Sequence, residues 1–448
     1  MAAVPQYKGP FGKEQAERLL WRAGFGAREE EAVALTKRGL KHAVHALTRP
    51  APYALSGEPP HDERNRAIAP ADAIGHDHLF WLDRMVRTNA PMIERMALVW
   101  HDWFATSNQG VGSQQLMLAQ NEVFRGNALG SFKDLLMTIT QDPAMLVWLN
   151  GNQNVRGKPN ENYAREMMEL FSLGAGRGYR ERDVREQARA LTGWRNDWHD
   201  NAGPTNFRYD PRWHDGGRKT IFGRRGTYRW QDSVKLCLRN KAHPSFFVRK
   251  LWSYFVPTPP DAATQQALEH VYTGSRHEVR PVLEAILRHP DLYEGPRMVK
   301  PPAVYNAGLL RMLGRGIDSD AWTWLGAMAG QQLFYPPNVA GWDDTRWLDT
   351  ATFRGRFHIV TYVLQPAALD VNANAGKLPT DPKALLDNAL GFWGNPQLND
   401  GTRGALLQFA RDAIGDAGRT TWKKQQYPVM VVNALRHLIA VSPDLVTC

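Results

Sequence analysis

The chain has 448 residues, 43% of them hydrophobic, a composition that excludes a disordered or fibrous protein and allows a large core or two lobes packed across a cleft. Its formal charge of +10 favours anionic partners, but Lys and Arg are interspersed with Asp and Glu, so nucleic acid is not indicated. The two cysteines, Cys237 and Cys448, exclude a disulfide framework and a cysteine-built metal knuckle, and sixteen Trp call for an aromatic core or an aromatic cleft.

No apolar run is long enough to span a bilayer and the N-terminus does not read as an export signal, so the expectation is a soluble, cytoplasmic chain without membrane contact, exported only if a leader has been removed. Gln15 to Gly24 reads as a first helix with Leu19, Leu20 and Trp21 for the core. After a polar, Pro-rich loop come His76 and His78, a pair that reads as a polar helix start or a weak metal pair. Pro91 to Thr106 is apolar nearly all round and therefore a buried helix, which carries Glu94 with His101 on one stripe and Arg95 with Asp102 on another. Asp142-Pro143 has the form of a capping Asp before a Pro at the first helical position.

Residues Pro159 to Gly174, PNENYAREMMELFSLG, read as a helix capped by Asn160 and stopped by Gly174. At about 100° per residue, Tyr163, Ala164, Met167, Met168, Leu170 and Phe171 cover one side and Asn162, Arg165, Glu166 and Glu169 form a polar stripe opposite. That stripe is either a solvated face with an Arg165–Glu169 pair or a buried polar site. A helix over Arg182 to Leu191 follows, and residues 196–230 then lose helical periodicity and contain WHDGGRKTIFG at Trp213 to Gly223, a long Gly-rich loop with room for a short hairpin. Helices resume from Ser233, with Phe246 to Val256 and Val282 to Leu292 read as packing elements. Tyr335 to Phe353 is turn-rich, with prolines before Asn338 and a flexible Gly341 before Trp342. A final helix lies near Pro428 to Ala440.

Several of these segments together resemble a bacterial family catalogued as domain of unknown function 1800: LLWRAGFG at Leu19 to Gly26, ERMALVWHDWFATS at Glu94 to Ser107, DPAML at Asp142 to Leu146, PNENYAREMMELFSLG, DVREQARALTGW at Asp183 to Trp194, HDGGRKTIFG at His214 to Gly223 and PPNVAGW at Pro336 to Trp342. The resemblance covers about residues 12–446 and implies one mainly helical family domain over residues 1–448. It also implies a partner from a family similar to sulfatases and phosphatases, but no established activity. Where the family reads Trp-His-Asn-His-Phe, this chain has Trp100, His101, Asp102, Trp103 and Phe104, and Asp349 stands where an Asn is usual.

The expectation is therefore a mainly α, multi-helix protein of two packed lobes, residues 1–195 and 231–448, joined by the loop-rich segment 196–230 with a few short strands. Carboxylates, imidazoles, cations and indoles recur, the parts of a site for a polar, hydroxylated or anionic substrate such as a glycan. An enzyme is favoured, a hydrolase or transferase, with Glu166 and Glu169 as acid and base, His101 and His214 as bases or ligands, and Asp215 orienting His214. Lys219 would hold an anionic group, and Asn162, Arg165, Trp194, Asn338 and Trp342 would contact the substrate. The cofactor is left open, a divalent or transition metal being one candidate. Alternatives are a metal- or haem-dependent oxidoreductase and a non-catalytic glycan- or protein-binding protein.

Overall fold

The computed structural model describes residues 3–27, 29–200, 203–416 and 420–448, and among them it places twenty-three α-helices and two small antiparallel sheets. Many helices start on a short polar residue whose side chain accepts a backbone N–H of the first turn: Ser113 from Leu116, Asp142 from Met145, Asp261 from Thr264 and Asp349 from Thr352. Asp142 does so with Pro143 at the first helical position, as its sequence indicates, and also accepts from Gln120 Nε2 at 2.6 Å.

The mainly helical expectation holds, and the strands fall where periodicity is lost. Strand β1 (Trp194–His199) pairs with β2 (Gly203–Tyr209), and β3 (Lys219–Ile221) with β4 (Arg224–Gly226). The β3–β4 turn is made by Phe222 and Gly223, both at positive φ, as a two-residue hairpin in a right-twisted pair requires.

Most of the tryptophan builds core. Trp81, Trp100, Trp103, Trp252, Trp322 and Trp393 are fully buried within one connected cluster that runs from Ala16 to Val446. Burying an indole strands its N–H unless an acceptor is supplied, and Trp100, Trp103, Trp252 and Trp393 donate to the carbonyls of Ala128, Phe171, Thr258 and Arg436. At the centre lies the helix Pro91–Trp103, packed against Lys13–Ala23, Gly39–Thr48, His76–Arg87 and Gln114–Gly126. Its Glu94 is completely buried and fully engaged: Arg125 Nε donates at 2.6 Å, Tyr53 Oη at 2.7 Å and Trp81 Nε1 at 3.0 Å.

The segment expected as one α-helix from Pro159 to Gly174 differs. It is α-helical over Asn162–Glu166 and then widens into a π-helix over Met167–Ser172, so a wheel of constant pitch fails beyond Glu166. Asn160 Oδ1 accepts the Asn162 N–H at 3.0 Å, and Gly174, at φ +94°, ends the segment. Among the described residues no helix is long and apolar enough to cross a membrane.

Candidate functional site

Three segments converge on one carboxylate, that of Asp102. It projects from the last turn of Pro91–Trp103, half-buried. From the turn-rich segment, Asn338 Oδ1 accepts the Ala340 N–H at 2.8 Å and shapes a turn that brings Gly341, at φ +97°, against it. A Cβ on Gly341 would lie 2.9 Å from the Asp102 Cγ and nearer still to Oδ1, so only glycine fits. That close approach lets the Trp342 N–H donate to Oδ1 at 2.9 Å. From the third segment, the helix His243–Ser253 and the residue after it, Tyr254 Oη donates to Oδ2 at 2.7 Å. Lys250, four residues earlier, shares the face of Tyr254.

Arg95, Asp102, Lys250, Tyr254, Trp342 and Trp347 line a cavity of about 180 Å³, and Asp344 adds a second, exposed carboxylate. The space is below the roughly 300 Å³ at which pockets for drug-sized ligands begin, so it suits a small molecule or the end of a longer one. Arg95 is buried, yet among the described residues it makes no ion pair. Its Nε donates to the Arg22 carbonyl at 3.2 Å and its Nη2 to the Tyr254 carbonyl at 3.4 Å. The indole N–H groups of Trp342 and Trp347 are buried without a hydrogen-bond partner among the described residues.

These surroundings move the protonation equilibria. Burial raises the Asp102 carboxyl, although the bonds from Tyr254 and Trp342 and the charge of Lys250 oppose it. Burial also lowers the Lys250 ammonium to about 8, with Asp102 pulling the other way. Lys250 Nζ donates to the Leu170 carbonyl at 2.9 Å and lies 4.8 Å from the Trp103 ring centroid. The Leu170 carbonyl belongs to the π-helix, so that segment reaches the site through its backbone and not through its polar stripe. Arg95 is lowered by burial to about 10 and stays cationic at neutral pH. The cavity therefore gathers two cations, the Asp102 carboxyl raised by burial, the exposed Asp344, a phenol and two indoles.

The residues singled out from sequence are distributed over several places. Trp342 lines the cavity, and Asn338 shapes the turn that delivers it. His101 lies behind Trp342, its ring 5.4 Å from that indole and 5.4 Å from Trp81, and burial alone lowers its imidazole to about 3. Neutral and enclosed by aromatic rings, it is not among the residues lining the cavity. His214 and Asp215 lie beyond β2: the His214 Nδ1 is 3.0 Å from the Thr192 carbonyl, and Asp215 is paired with Arg189 Nε at 2.7 Å. Asp215 thus takes its cation from Arg189, and no bond joins it to the His214 ring. Lys219 donates to the backbone carbonyls of Asp215 and Gly217, which tie the loop together. Trp194 packs on Tyr209 and Trp230.

On the stripe, Arg165 bridges Glu161 at 3.1 Å, Glu169 at 3.4 Å and Glu181 at 2.9 Å, while Asn162 is exposed. Glu166 is raised by partial burial and by the charge of Glu169, and makes no hydrogen bond among the described residues. No hydrogen bond, ion pair or ring contact joins Glu166 or Glu169 to His101 or His214. Sequence reasoning passed over Lys250 and Tyr254 by reading Phe246 to Val256 as packing. The available signal is a Lys and a Tyr four apart in a largely apolar stretch, Lys250 near the end of the helix and Tyr254 just after it.

Among the described residues, no group of three or more His, Cys, Asp or Glu side chains is placed to hold a metal ion. A family model described as "Protein of unknown function (DUF1800)" matches residues 18–446, nearly the whole chain. No curated protein and no solved structure matches it.

Proposed function

The chain belongs to the DUF1800 family, and from the chemistry gathered at Asp102 we propose that it is an enzyme, a hydrolase or transferase acting on a small polar, hydroxylated or anionic group such as the end of a glycan. The observation that carries the reading is one carboxylate held from both sides, by Trp342 N–H at 2.9 Å and Tyr254 Oη at 2.7 Å, in a cavity whose two cations have no carboxylate ion pair among the described residues. Each carboxylate oxygen keeps a second lone pair, so Asp102 can accept a proton from water or a substrate hydroxyl while its two donors hold it in place. Arg95 and Lys250 supply positive charge for an anionic group or for negative charge that develops during reaction. Trp342 and Trp347 line the cavity and contribute apolar indole surface of the kind that suits a sugar ring.

The test is release of nitrophenolate from a panel of p-nitrophenyl glycosides, phosphates and acyl esters, comparing wild type with Asp102→Asn, Tyr254→Phe and Lys250→Met. Turnover of one substrate class, reduced on the order of a hundredfold by Asp102→Asn, supports the reading. Undiminished turnover in that variant overturns it. Sugar binding at the cavity with no turnover of any class also overturns it, in favour of a glycan-binding protein.

A further inference from the structure

A second feature lies away from the Asp102 cavity. An open groove of about 660 Å³ runs between the start of the helix Glu181–Ala190, the β3–β4 turn and the end of the helix Trp230–Leu238. Its rim carries five exposed cations, Arg180, Arg182, Arg224, Arg239 and Lys241, and none of them makes an ion pair among the described residues.

The carboxylates that would ordinarily balance such a set are engaged elsewhere. Asp183, the one acidic residue lining the groove, accepts the Arg180 N–H at 2.9 Å and the Phe222 N–H at 2.8 Å. Glu181 is turned to Arg165 at 2.9 Å, and Glu186 to Arg189 at 2.9 Å. Arg239 and Lys241 follow a helix C-terminus, where positive charge offsets the dipole and needs no ligand to explain it. Arg180 and Arg182 have the opposite placement: they stand at the N-terminal end of Glu181–Ala190, where the dipole is already positive and cations are unfavourable. The fold keeps uncompensated positive charge converging from three elements on one open surface.

We propose that this groove binds an anionic polysaccharide segment, its sulfate or carboxylate groups held by the arginine forks. Guanidinium groups pair with such oxyanions through two parallel hydrogen bonds, and several of them along a groove match charges repeated along a chain. A nucleic-acid single strand is the less suited polyanion, because strand-binding grooves add a row of aromatic faces for successive bases. Only Tyr179 and Phe222 are aromatic here, and both are half-buried. The inference does not depend on the reading of the Asp102 cavity.

The experiment uses the full chain and three fluorescent probes: a heparin hexasaccharide, a hexagalacturonate and a thymidine oligonucleotide of matched charge. Anisotropy is measured over a range of salt concentrations. An oligosaccharide is expected to bind with a log–log salt slope of roughly three to five, set by the number of cations engaged. Arg182→Glu/Arg239→Glu should weaken that binding on the order of a hundredfold at low salt. Arg403→Glu/Arg411→Glu, the same charge change on a distant exposed helix, should stay within about threefold because salt screens the longer distance. Thermal melting should show the groove variant close to wild type, since a Glu at position 182, in the first turn of Glu181–Ala190, suits the dipole and offsets the cost of a Glu at position 239, at the C-terminus of Trp230–Leu238. If that variant does not fold, Arg224→Ser/Lys241→Ser replaces it, with an expected loss on the order of tenfold. The proposal is overturned if neither oligosaccharide binds, if groove and control variants weaken binding equally, or if the oligonucleotide binds more tightly than both oligosaccharides. Because heparin carries carboxylates as well as sulfates, its binding without hexagalacturonate binding identifies sulfate as the group required, whereas binding of hexagalacturonate shows that carboxylates suffice.

Discussion

Asp102 and Asp215 are both half-buried aspartates with a lysine and an arginine in their neighbourhood, yet their environments drive them in opposite directions. Asp215 is clasped by Arg189 at 2.7 Å and capped by the Gly217 N–H at 2.8 Å, which hold its carboxyl down at about 2. Asp102 is in a cavity whose cations do not reach it as ion-pair partners, and burial pushes its carboxyl up. A carboxylate neutralised within the protein has little left to offer a ligand. One held by a phenol and a backbone N–H, with charges nearby but unspent, is still available for proton transfer. Arg165 and Glu169 of the stripe belong with Asp215: Glu161, Glu169 and Glu181 surround the single Arg165 guanidinium and tie together neighbouring turns.

The sharpest way to break this contrast is Asp102→Asn, which should reduce turnover on the order of a hundredfold or more while leaving thermal stability unchanged or slightly higher, since a costly buried charge is removed. A fall in melting temperature with intact turnover would place Asp102 with the structural carboxylates. Gly341→Ala comes next: the methyl group must displace Asp102 and the backbone is held at φ +97°, so about 1–3 kcal/mol of stability and most activity should be lost together. Denaturant melts beside the assay check that coupling.

Lys250 separates stability from activity through pH. Its folded value near 8 lies below the ordinary 10.5, so the unfolded chain binds more protons between those pH values and stability rises with pH across that window. Activity that needs the ammonium falls over the same range, with a limb near pH 8, and Lys250→Met should abolish both trends. A pH–rate profile and melts at pH 7, 9 and 10 distinguish the two.

For Asp215 the slope has the same sign but the shift stabilises the fold, whereas burial of the Lys250 ammonium costs stability at neutral pH. Its folded value near 2 lies below the ordinary 3.8, so its stabilisation is complete above pH 3.8 and is lost as pH falls toward 2. Asp215→Asn should cost about 1 kcal/mol at neutral pH, after allowance for solvent screening, and nothing near pH 2. Turnover should be unchanged. Smallest of all is Glu169→Gln, expected within about 0.5 kcal/mol and without effect on turnover. Loss of turnover in that variant would return the stripe to candidacy and weaken the Asp102 assignment.

Much of the architecture is legible in the chain because it depends on local rules. The capping Asp142 before Pro143, the all-round apolar helix from Pro91 and the loss of period after Trp194 each report backbone preferences that neighbours in sequence enforce. The site was legible only in fragments. Trp342, Asn338 and the Arg95 and Asp102 stripe stand out, but each has an ordinary structural reading by itself. The density of charge around Glu166 makes the stripe conspicuous in sequence, but a helical wheel records direction and not what lies opposite.

The sequence by itself determined the helical class, the segment in which helical periodicity gives way to short strands, and the resemblance to the family, all of which follow from short-range periodicity and motif order. Only the tertiary structure decided which carboxylates are spent. Arg189 reaches Asp215 across 26 residues, Glu181 reaches Arg165 across 16, and Tyr254 reaches Asp102 across 152. Whether a side chain ends as half of an ion pair or beside an open cavity depends on partners brought from that distance. Coulomb energy and desolvation act through space, so spacing along the chain cannot encode them.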